Sequence, residues 1–203
     1  LTNVTDSLSN VTTYAYEPVF SQVTNMVAPN GPLTCYQYDS RGNRTNTIDP
    51  LGQTVSYTYD TNGHVLNMRD KRGFVTSYLY DSQGNRTNTT DALGHVTSMA
   101  YDAVGQMTNQ VDANGRVTSY SYDGLGRLVR EVDPMGGITT YGYDGSGNLT
   151  NVVDANTNST AYIFDQRQRL VQVIDSLQHT NFFAYDDKDN RTNSTDANGR
   201  ITT

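Results

Sequence analysis

Aspartates are the residues of this sequence best placed to do chemistry, because they recur in two rows with a period of 21 residues. The first row follows an aromatic residue, in the pairs Tyr38-Asp39, Tyr59-Asp60, Tyr80-Asp81, Tyr101-Asp102, Tyr122-Asp123, Tyr143-Asp144, Phe164-Asp165 and Tyr185-Asp186. The second row lies ten residues after the first, at Asp49, Asp70, Asp91, Asp112, Asp133, Asp154, Asp175 and Asp196. Carboxylates and turn carbonyls are suitable calcium ligands, but turn geometry alone also selects aspartate. The glycine-rich nonapeptide of calcium-binding β-rolls is absent. Turn capping without a cofactor is therefore the preferred interpretation, and calcium binding is the alternative.

Other residues with catalytic or metal-binding potential form no recognisable set. His64, His95 and His179 are placed at unrelated phases of the repeat, and no Ser-His-Asp, paired-carboxylate or phosphate-loop arrangement is found. The single cysteine, Cys35, excludes an intrachain disulfide framework and a cysteine-based zinc site. It is predicted to be a small residue on a strand, with an intermolecular bridge as the alternative. We therefore expect no catalytic residue, no metal site and no enzymatic activity.

Both aspartate rows begin Asp-x-x-Gly segments, as at 123–126 and 133–136. An aspartate at the first position of a turn accepts backbone N–H bonds with its own side chain, and a glycine at the fourth position takes the positive φ that a following bulge needs. The segments therefore predict two tight turns in every period. The predicted turn glycines are Gly42, Gly52, Gly63, Gly73, Gly84, Gly94, Gly105, Gly115, Gly126, Gly136, Gly147 and Gly199.

The segments between the turns have the length and composition of β-strands. They span about six or seven residues and are rich in Thr, Val, Tyr and Leu. No interval between glycines leaves room for three helical turns. Short turns permit only antiparallel neighbours, so two strands and two turns fill each period. The sequence predicts an all-β antiparallel meander of roughly eighteen strands, and a twisted sheet of this width should coil into a hollow spiral, tube or shell.

Alternation along the strands predicts two distinct faces. Tyr120 and Tyr122 share one face of the first strand, and Leu128, Arg130 and Val132 share a face of the second. Tyrosine rows are expected to supply most of the side-chain contact energy, through cross-strand aromatic and β-branched pairs of about 0.2–1 kcal/mol each. With 35% hydrophobic residues and no tryptophan, a wall one or two layers thick is favoured over a compact core. A polar row is predicted at Asn46, Asn67, Asn88, Asn109, Asn151 and Asn193.

Repeat phase divides the chain into two parts. Residues 1–32 hold a degenerate repeat and an irregular segment that contains Pro18, Pro29 and Pro32 and lengthens one interval to 22 residues. Residues 33–203 hold eight in-phase repeats. Both ends are cut from the same pattern, so we expect the array to continue beyond them. Continuation of the array, or self-association, is the predicted macromolecular contact.

Charge and hydropathy exclude other partners. The formal net charge is −7, and the only lysines are Lys71 and Lys188. There is no basic patch, so a nucleic-acid partner is not expected. The sequence contains no run of 18 apolar residues, so no membrane span is predicted, and no signal peptide is visible.

The repeat unit resembles the YD repeat of the RHS family. The matching pattern is Tyr-x-Tyr-Asp-x-x-Gly-Asn/Arg-Leu/Arg followed by Asp-x-x-Gly, seen best at 120–128 and 141–149 and repeated from about residue 33 to the end. The resemblance implies a large secreted or cell-surface protein in which a β-sheet ribbon spirals around a hollow interior. In RHS toxins and insecticidal toxin complexes the hollow encloses a C-terminal effector. In teneurins the shell belongs to a cell-adhesion ectodomain, and some members are described as binding carbohydrate.

The preferred hypothesis is a non-enzymatic structural module of an extracellular or cell-surface protein, forming a tube, fibre or shell with a role in adhesion. One alternative is the shell of an RHS-type polymorphic toxin around its cargo, and another is a carbohydrate-binding surface built from exposed tyrosines. The Asp-Pro-x-Gly segments 49–52 and 133–136 are similar to a toxin self-cleavage segment, but they lie in phase with ordinary turns and are interpreted as turns. Glycosylation stays open at the sequons of Asn3, Asn10, Asn43, Asn85, Asn88, Asn148, Asn158, Asn190 and Asn193.

Overall fold

The computed structural model describes residues 1–203, and every regular element in it is a β-strand. No side chain is buried; each residue is exposed or half-exposed. Both faces of the sheet therefore meet solvent, as expected for a wall rather than a packed core. The structure holds no helix with the length and apolar character needed to cross a membrane.

The chain forms two compact units, residues 1–99 and 100–203. In the first unit, every strand pairs antiparallel with the next strand along the chain. The last of these strands ends two residues inside the second unit. The strands are β1 Thr2–Thr5, β2 Val11–Tyr16, β3 Val23–Val27, β4 Leu33–Tyr38, β5 Arg44–Ile48, β6 Thr54–Tyr59, β7 Val65–Arg69, β8 Val75–Tyr80, β9 Arg86–Thr90 and β10 Val96–Tyr101.

The second unit continues the same alternation of six-residue and five-residue strands, again with each strand antiparallel to the next. Its strands are β11 Met107–Val111, β12 Val117–Tyr122, β13 Leu128–Val132, β14 Ile138–Tyr143, β15 Leu149–Val153, β16 Ser159–Phe164, β17 Leu170–Ile174, β18 Thr180–Tyr185, β19 Arg191–Thr195 and β20 Ile201–Thr202. The predicted all-β antiparallel meander is confirmed. The number of strands is twenty rather than about eighteen, and coiling of the wall stays a prediction.

The segment expected to be irregular, from Pro18 to Cys35, contains strand β3 and the start of β4. The prolines do not interrupt the sheet, because Pro18 and Pro29 lie in turns. The extra residue of the 22-residue interval is absorbed in one turn, where the Glu17 N–H donates to the carbonyl of Gln22, five residues on. That expectation was therefore wrong in detail. The division of the chain between residues 32 and 33 stays a prediction about repeat phase.

A β-bulge changes the predicted faces of the second strand. In the β12–β13 pair, Ser121 lies opposite Arg130, but Tyr122 lies opposite Leu128, so one residue of β13 is skipped. Directly opposed residues project to the same side of a sheet. Leu128 therefore joins the face of Tyr122, and Arg130 joins the face of Ser121. The prediction that Leu128, Arg130 and Val132 share one face was wrong, because strict alternation fails at a bulge.

This register distinguishes two faces of the sheet, which we name by their side chains. The aromatic face carries the tyrosines that begin with Tyr36 and Tyr38, and the amide face carries the asparagine row that includes Asn46. The β-bulge recurs in both units where a six-residue strand meets the following five-residue strand, for example between β4 and β5 and between β18 and β19. It therefore sets the two faces once in each of these repeats.

Candidate functional site

The turn aspartates are held by four hydrogen bonds each. In the turn that starts at Asp123, the N–H groups of Leu125 and Arg127 donate to Oδ1 at 2.9 and 3.0 Å. The Gly126 N–H donates to the Asp123 carbonyl, and the Asp123 N–H donates to the Arg127 carbonyl, both at 3.0 Å. Turns of the second row use the same bonds, as at Asp49. One carboxylate oxygen of each such aspartate is thus fixed by its own turn.

Hydrogen bonding to the ionised carboxylate lowers the pKa of Asp123 and Asp144. The backbone N–H of Arg127 is the largest influence on the pKa of Asp123, followed by the Arg127 side chain. For Asp144 the largest influence is the side-chain amide of Asn148. No group of three or more His, Cys, Asp or Glu side chains is placed to hold a metal ion. The geometry gives each carboxylate a local role in its turn.

One residue of each turn, the fourth except in the longer turn at Glu17, has a positive φ. All twelve predicted turn glycines have φ between 76° and 92°. Six turns place another residue in this conformation, with φ between 54° and 67°, at a cost that glycine avoids. Those residues are Ser9, Ser21, Thr157, Gln168, Gln178 and Asp189.

In many turns the side chain of the fifth residue contacts the second carboxylate oxygen of the aspartate. Asparagine takes this position often, as in the 3.0 Å bond from Asn43 Nδ2 to Asp39 Oδ2. Histidine takes it in three turns, where Nδ1 lies 2.8–2.9 Å from Oδ2 of the turn aspartate. The expectation that His64, His95 and His179 fall at unrelated phases was therefore wrong. Each histidine lies four residues after a turn aspartate. This shared position is not seen when residues are counted from the tyrosine, because each repeat contains two equivalent turns.

Side chains of the first-row turns also reach the next first-row turn. Gln22 Nε2 donates to the Gly42 carbonyl at 2.9 Å, and Gln106 Nε2 donates to the Gly126 carbonyl at 3.1 Å. The Arg169 guanidinium reaches a carbonyl of the following turn in the same way, at 3.0 Å. Each unit therefore has a chain of turn-to-turn contacts along one edge. Sequence reasoning missed these contacts because nothing in the local pattern shows which turns are neighbours.

The tyrosines of six Tyr-Asp pairs share one kind of hydrogen-bond acceptor. Each hydroxyl donates to the carbonyl fifteen residues earlier, at the start of the preceding five-residue strand, over 2.7–3.0 Å. This bond joins neighbouring hairpins at the edge where no turn connects them. Phe164 lacks the hydroxyl and makes no such bond. The donor–acceptor pairs are Tyr38–Val23, Tyr59–Arg44, Tyr80–Val65, Tyr122–Met107, Tyr143–Leu128 and Tyr185–Leu170.

Arginines separate the tyrosine rings on the aromatic face. The Arg44 guanidinium lies 5.9 Å from the centre of the Tyr36 ring and 5.7 Å from that of Tyr57. Arg127 lies 4.6 Å from the centre of the Tyr143 ring. Such cation–π contacts stabilise by about 0.5–1 kcal/mol at exposed sites. Tyr36 and Tyr57 lie two strands apart with Arg44 between them, so at this place the contact between strands is of arginine with tyrosine.

Short polar bonds run between adjacent strands on the amide face. Asn67 Nδ2 donates to Thr58 Oγ1 at 2.9 Å, and Ser77 Oγ donates to Asn67 Oδ1 at 2.7 Å. The asparagine row therefore needs no water to bridge strands, since hydroxyl residues on the intervening strands supply the partners. The register also adds Asn25 to this row, where it lies opposite Cys35. Asn25 precedes Asn46 by one full period but lies inside the segment interpreted as irregular.

These features define a tandem-repeat β-sheet protein whose repeats are joined by turn aspartates and tyrosine hydroxyls. A family model described as Teneurin YD-shell matches residues 49–198, which is most of the chain. The chain belongs to this family of YD-repeat shells, and the resemblance to the RHS/YD-repeat family is confirmed.

Solved structures with this fold come from toxin complexes. The chain is similar to "TcdB2-TccC3-Cdc42", with a TM-score of 0.66 at 14% identity over 96% of this chain and 13% of that one. It is also similar to the Photorhabdus luminescens Tc holotoxin pore with the mutation TccC3-D651A, with a TM-score of 0.60 at 14% identity over 92% of this chain and 13% of that one. The chain spans about an eighth of their length, and at this identity the likeness shows the fold alone. No curated protein sequence matches the chain.

Proposed function

We propose that this structural shell module is a non-enzymatic wall segment of a large secreted or cell-surface protein. The observation that supports the proposal best is the tyrosine bond that joins successive hairpins in six repeats, as between Tyr122 and Met107. A repeat that is hydrogen-bonded to its neighbours on both edges makes a continuous sheet of any length. That is the property a wall requires.

The energetics of the sheet agree with this role. No hydrophobic core is present, since no side chain is buried. Stability must therefore come from backbone ladders, turn caps and contacts along the two faces, and these accumulate repeat by repeat. A single layer with two solvated faces separates two spaces, or presents a long surface, better than it encloses a small-molecule active site.

Enclosure of a cargo is the second candidate, and the likeness to structures that contain TccC3 favours it over a simple fibre. One of those structures is described as "TcdB2-TccC3 without hypervariable C-terminal region". In this proposal, the wall coils, and one of its two faces lines the enclosed space. The adhesive proposal needs the same wall, with its outer face presented to another cell.

Imaging of the full-length protein distinguishes these proposals. Electron microscopy should show closed shells with internal density if the wall encloses a cargo, and shells or tubes without internal density if the outer surface is the functional part. Sequence downstream of the chain gives an independent test, since a cleavage segment followed by an unrelated domain supports enclosure. Particles in which this segment packs as a solid, multilayered domain would overturn the wall proposal itself.

A further inference from the structure

The turn at Glu17 is the longest turn of the chain, and it presents two apolar side chains to solvent. Its N–H bonds the carbonyl five residues on, whereas every other turn closes over four residues. The added length leaves Val19 75% exposed and Phe20 48% exposed. An exposed apolar patch with a polar rim is typical of an interaction site. The surroundings of these two side chains therefore indicate which kind of ligand would contact them.

A cleft of about 540 Å³ lies between this turn and the next turn of the same row. Phe20 stands against that next turn, because a Cβ at Gly42 would lie 3.3 Å from two atoms of the phenyl ring. Tyr36 and Tyr38 line the cleft from the aromatic face. The hydroxyl bond of Tyr38 described above holds its ring in place. The cleft is therefore lined by three aromatic residues.

The charge in the cleft is negative. Glu17 and Asp39 both line it, and no Lys, Arg or His does. The Glu17 carboxylate accepts three backbone N–H groups, and the Asp39 carboxylate accepts two backbone N–H groups and the Asn43 amide. None of these donors is charged. The cleft therefore carries two negative charges at neutral pH without a cation in its lining.

The equivalent place in the next repeat is filled by an arginine. The Arg41 guanidinium reaches from its own turn to the Thr61 carbonyl of the following turn, at 2.7 Å. Val19 holds the position of Arg41 in the longer turn, so that turn supplies no cation. Arg44 lies 5.9 Å from the centre of the Tyr36 ring but is not part of the cleft lining. A cation bound in the cleft would take the place that Arg41 fills in the next repeat.

We propose that this cleft binds a quaternary ammonium ion, such as a trimethylammonium group. Aromatic rings attract such cations through their faces, and the two carboxylates balance the charge. Both carboxylates already accept three N–H groups each, so a cation that donates no hydrogen bond fits better than a primary ammonium ion. The trimethylammonium group belongs either to a small soluble molecule or to a lipid headgroup, and both sources share this chemistry.

Calorimetric titration of the whole chain with three related probes tests the proposal. Choline should bind, and its affinity should fall at higher salt because exposed charges are screened. The uncharged isostere 3,3-dimethylbutan-1-ol and the primary amine ethanolamine should each bind at least about tenfold more weakly, a difference of roughly 1.4 kcal/mol. No binding of choline, or equal affinity for choline and either of the other probes, would overturn the proposal.

Sedimentation with phosphatidylcholine vesicles distinguishes the two sources once choline binding is measured. A chain that sediments with the vesicles, and is released by free choline, binds the lipid headgroup. A chain that binds choline and stays in solution beside the vesicles binds a small soluble cation.

A first pair of variants tests the charge of the cleft. Ser40→Lys brings a cation into its lining, at a turn position that already holds Lys71 in another turn. Choline affinity should fall at least about tenfold. Thr61→Lys makes the same change in the following turn and should leave the affinity unchanged. Equal choline affinity of Ser40→Lys and the parent chain, with both folded by their melting temperatures, would overturn the proposal.

A second pair tests the aromatic ring. Phe20→Leu keeps an apolar side chain but removes the face that attracts a cation, so choline affinity should fall about two- to fivefold. Phe74→Leu changes a half-exposed phenylalanine outside the cleft and should leave the affinity unchanged. Equal losses in the two variants would count against a cation–π contact at Phe20 and overturn its assignment to the site.

Discussion

The hydroxyl of Tyr122 donates a 2.9 Å hydrogen bond to the carbonyl of Met107, fifteen residues earlier on the adjacent strand. The bond lies at the end of the β11–β12 pair that has no connecting turn. It therefore closes the gap between two successive hairpins. Its recurrence in six repeats gives the regular spacing of the Tyr-Asp pairs a physical meaning: the tyrosine links repeats, and the aspartate builds the turn that follows.

Removal of this hydroxyl should weaken the sheet without changing its shape. Tyr122→Phe keeps the ring but removes the donor, and we expect a loss of about 0.5–1.5 kcal/mol in the free energy of unfolding. Tyr120→Phe is the matched control, because the Tyr120 hydroxyl has no hydrogen-bond partner. Urea unfolding measures both variants. Equal stabilities of the two variants would contradict a linking role for the Tyr122 hydroxyl.

Much of the fold followed from the sequence because each turn signal is local. The Asp-x-x-Gly spacing limits the strand length, excludes helices and forces antiparallel pairing, and the confirmed meander depends on nothing else. The acceptor of the Tyr122 hydroxyl was not predictable in this way. It depends on which carbonyl faces the ring after the chain has turned twice, and that is a property of the assembled sheet.

The faces were harder to predict than the strands. A bulge at the start of β13 places Leu128 and Arg130 on opposite faces of the sheet. One unpaired residue is enough, because it interrupts the alternation of side chains between the two faces. The extra residue of the Glu17 turn had a similar effect on the interpretation. Because of this extra residue, Asn25 was not recognised as a member of the asparagine row. In the structure Glu17 spans the longer turn with its longer side chain, whose carboxylate accepts the N–H groups of Val19, Phe20 and Gln22.

The two glycines of the turn at Asp123 should respond differently to the same substitution. Gly126 has φ +80°, and a Cβ there would meet Gln106 Nε2 at 2.7 Å, whereas Gly124 has open space and no positive φ. We expect Gly126→Ala to lose about 1 kcal/mol of stability, with faster proteolysis of this turn. Gly124→Ala should change stability by less, or raise it slightly by restricting the unfolded chain. Thermal unfolding and limited proteolysis would contradict the turn geometry if the two variants behaved alike.

The reverse substitution should stabilise a turn that lacks glycine. Thr157 has φ +67°, an unfavourable conformation for a β-branched residue. Thr157→Gly should therefore raise the free energy of unfolding by up to about 1 kcal/mol. Asp189→Gly should gain less, since aspartate tolerates this conformation better than threonine does. A lower melting temperature for Thr157→Gly would be the contrary result.

Acid should destabilise the sheet through its turns. The pKa of Asp144 is lowered in the folded protein, chiefly by the Asn148 amide, from an unfolded value of about 3.9. A lowered pKa means that the carboxylate's contribution is fully present above that value and is lost as the pH falls through the folded pKa. Since many turn aspartates share this direction, the urea midpoint should fall steeply below about pH 4.

A non-titrating turn residue provides the control for this pH dependence. Asp144→Asn keeps an oxygen that can accept the N–H groups of Ser146 and Asn148 but has no proton to gain. Its urea midpoint should drop less than that of the parent chain between pH 5 and pH 2.5. Asp187→Asn changes an aspartate that does not start a turn and serves as the comparison. Identical pH profiles for Asp144→Asn and the parent chain would show that the Asp144 cap does not contribute.

We propose above that these repeats form a one-layer wall of a larger shell. Cryo-electron microscopy of the full-length protein tests it most directly, at a resolution that separates strands about 4.8 Å apart. We expect density in which the strands of each unit form one layer, with the two faces toward separate solvent or cargo spaces. Density in which the aromatic or amide face packs against a second sheet throughout, leaving no enclosed or presented surface, would contradict it.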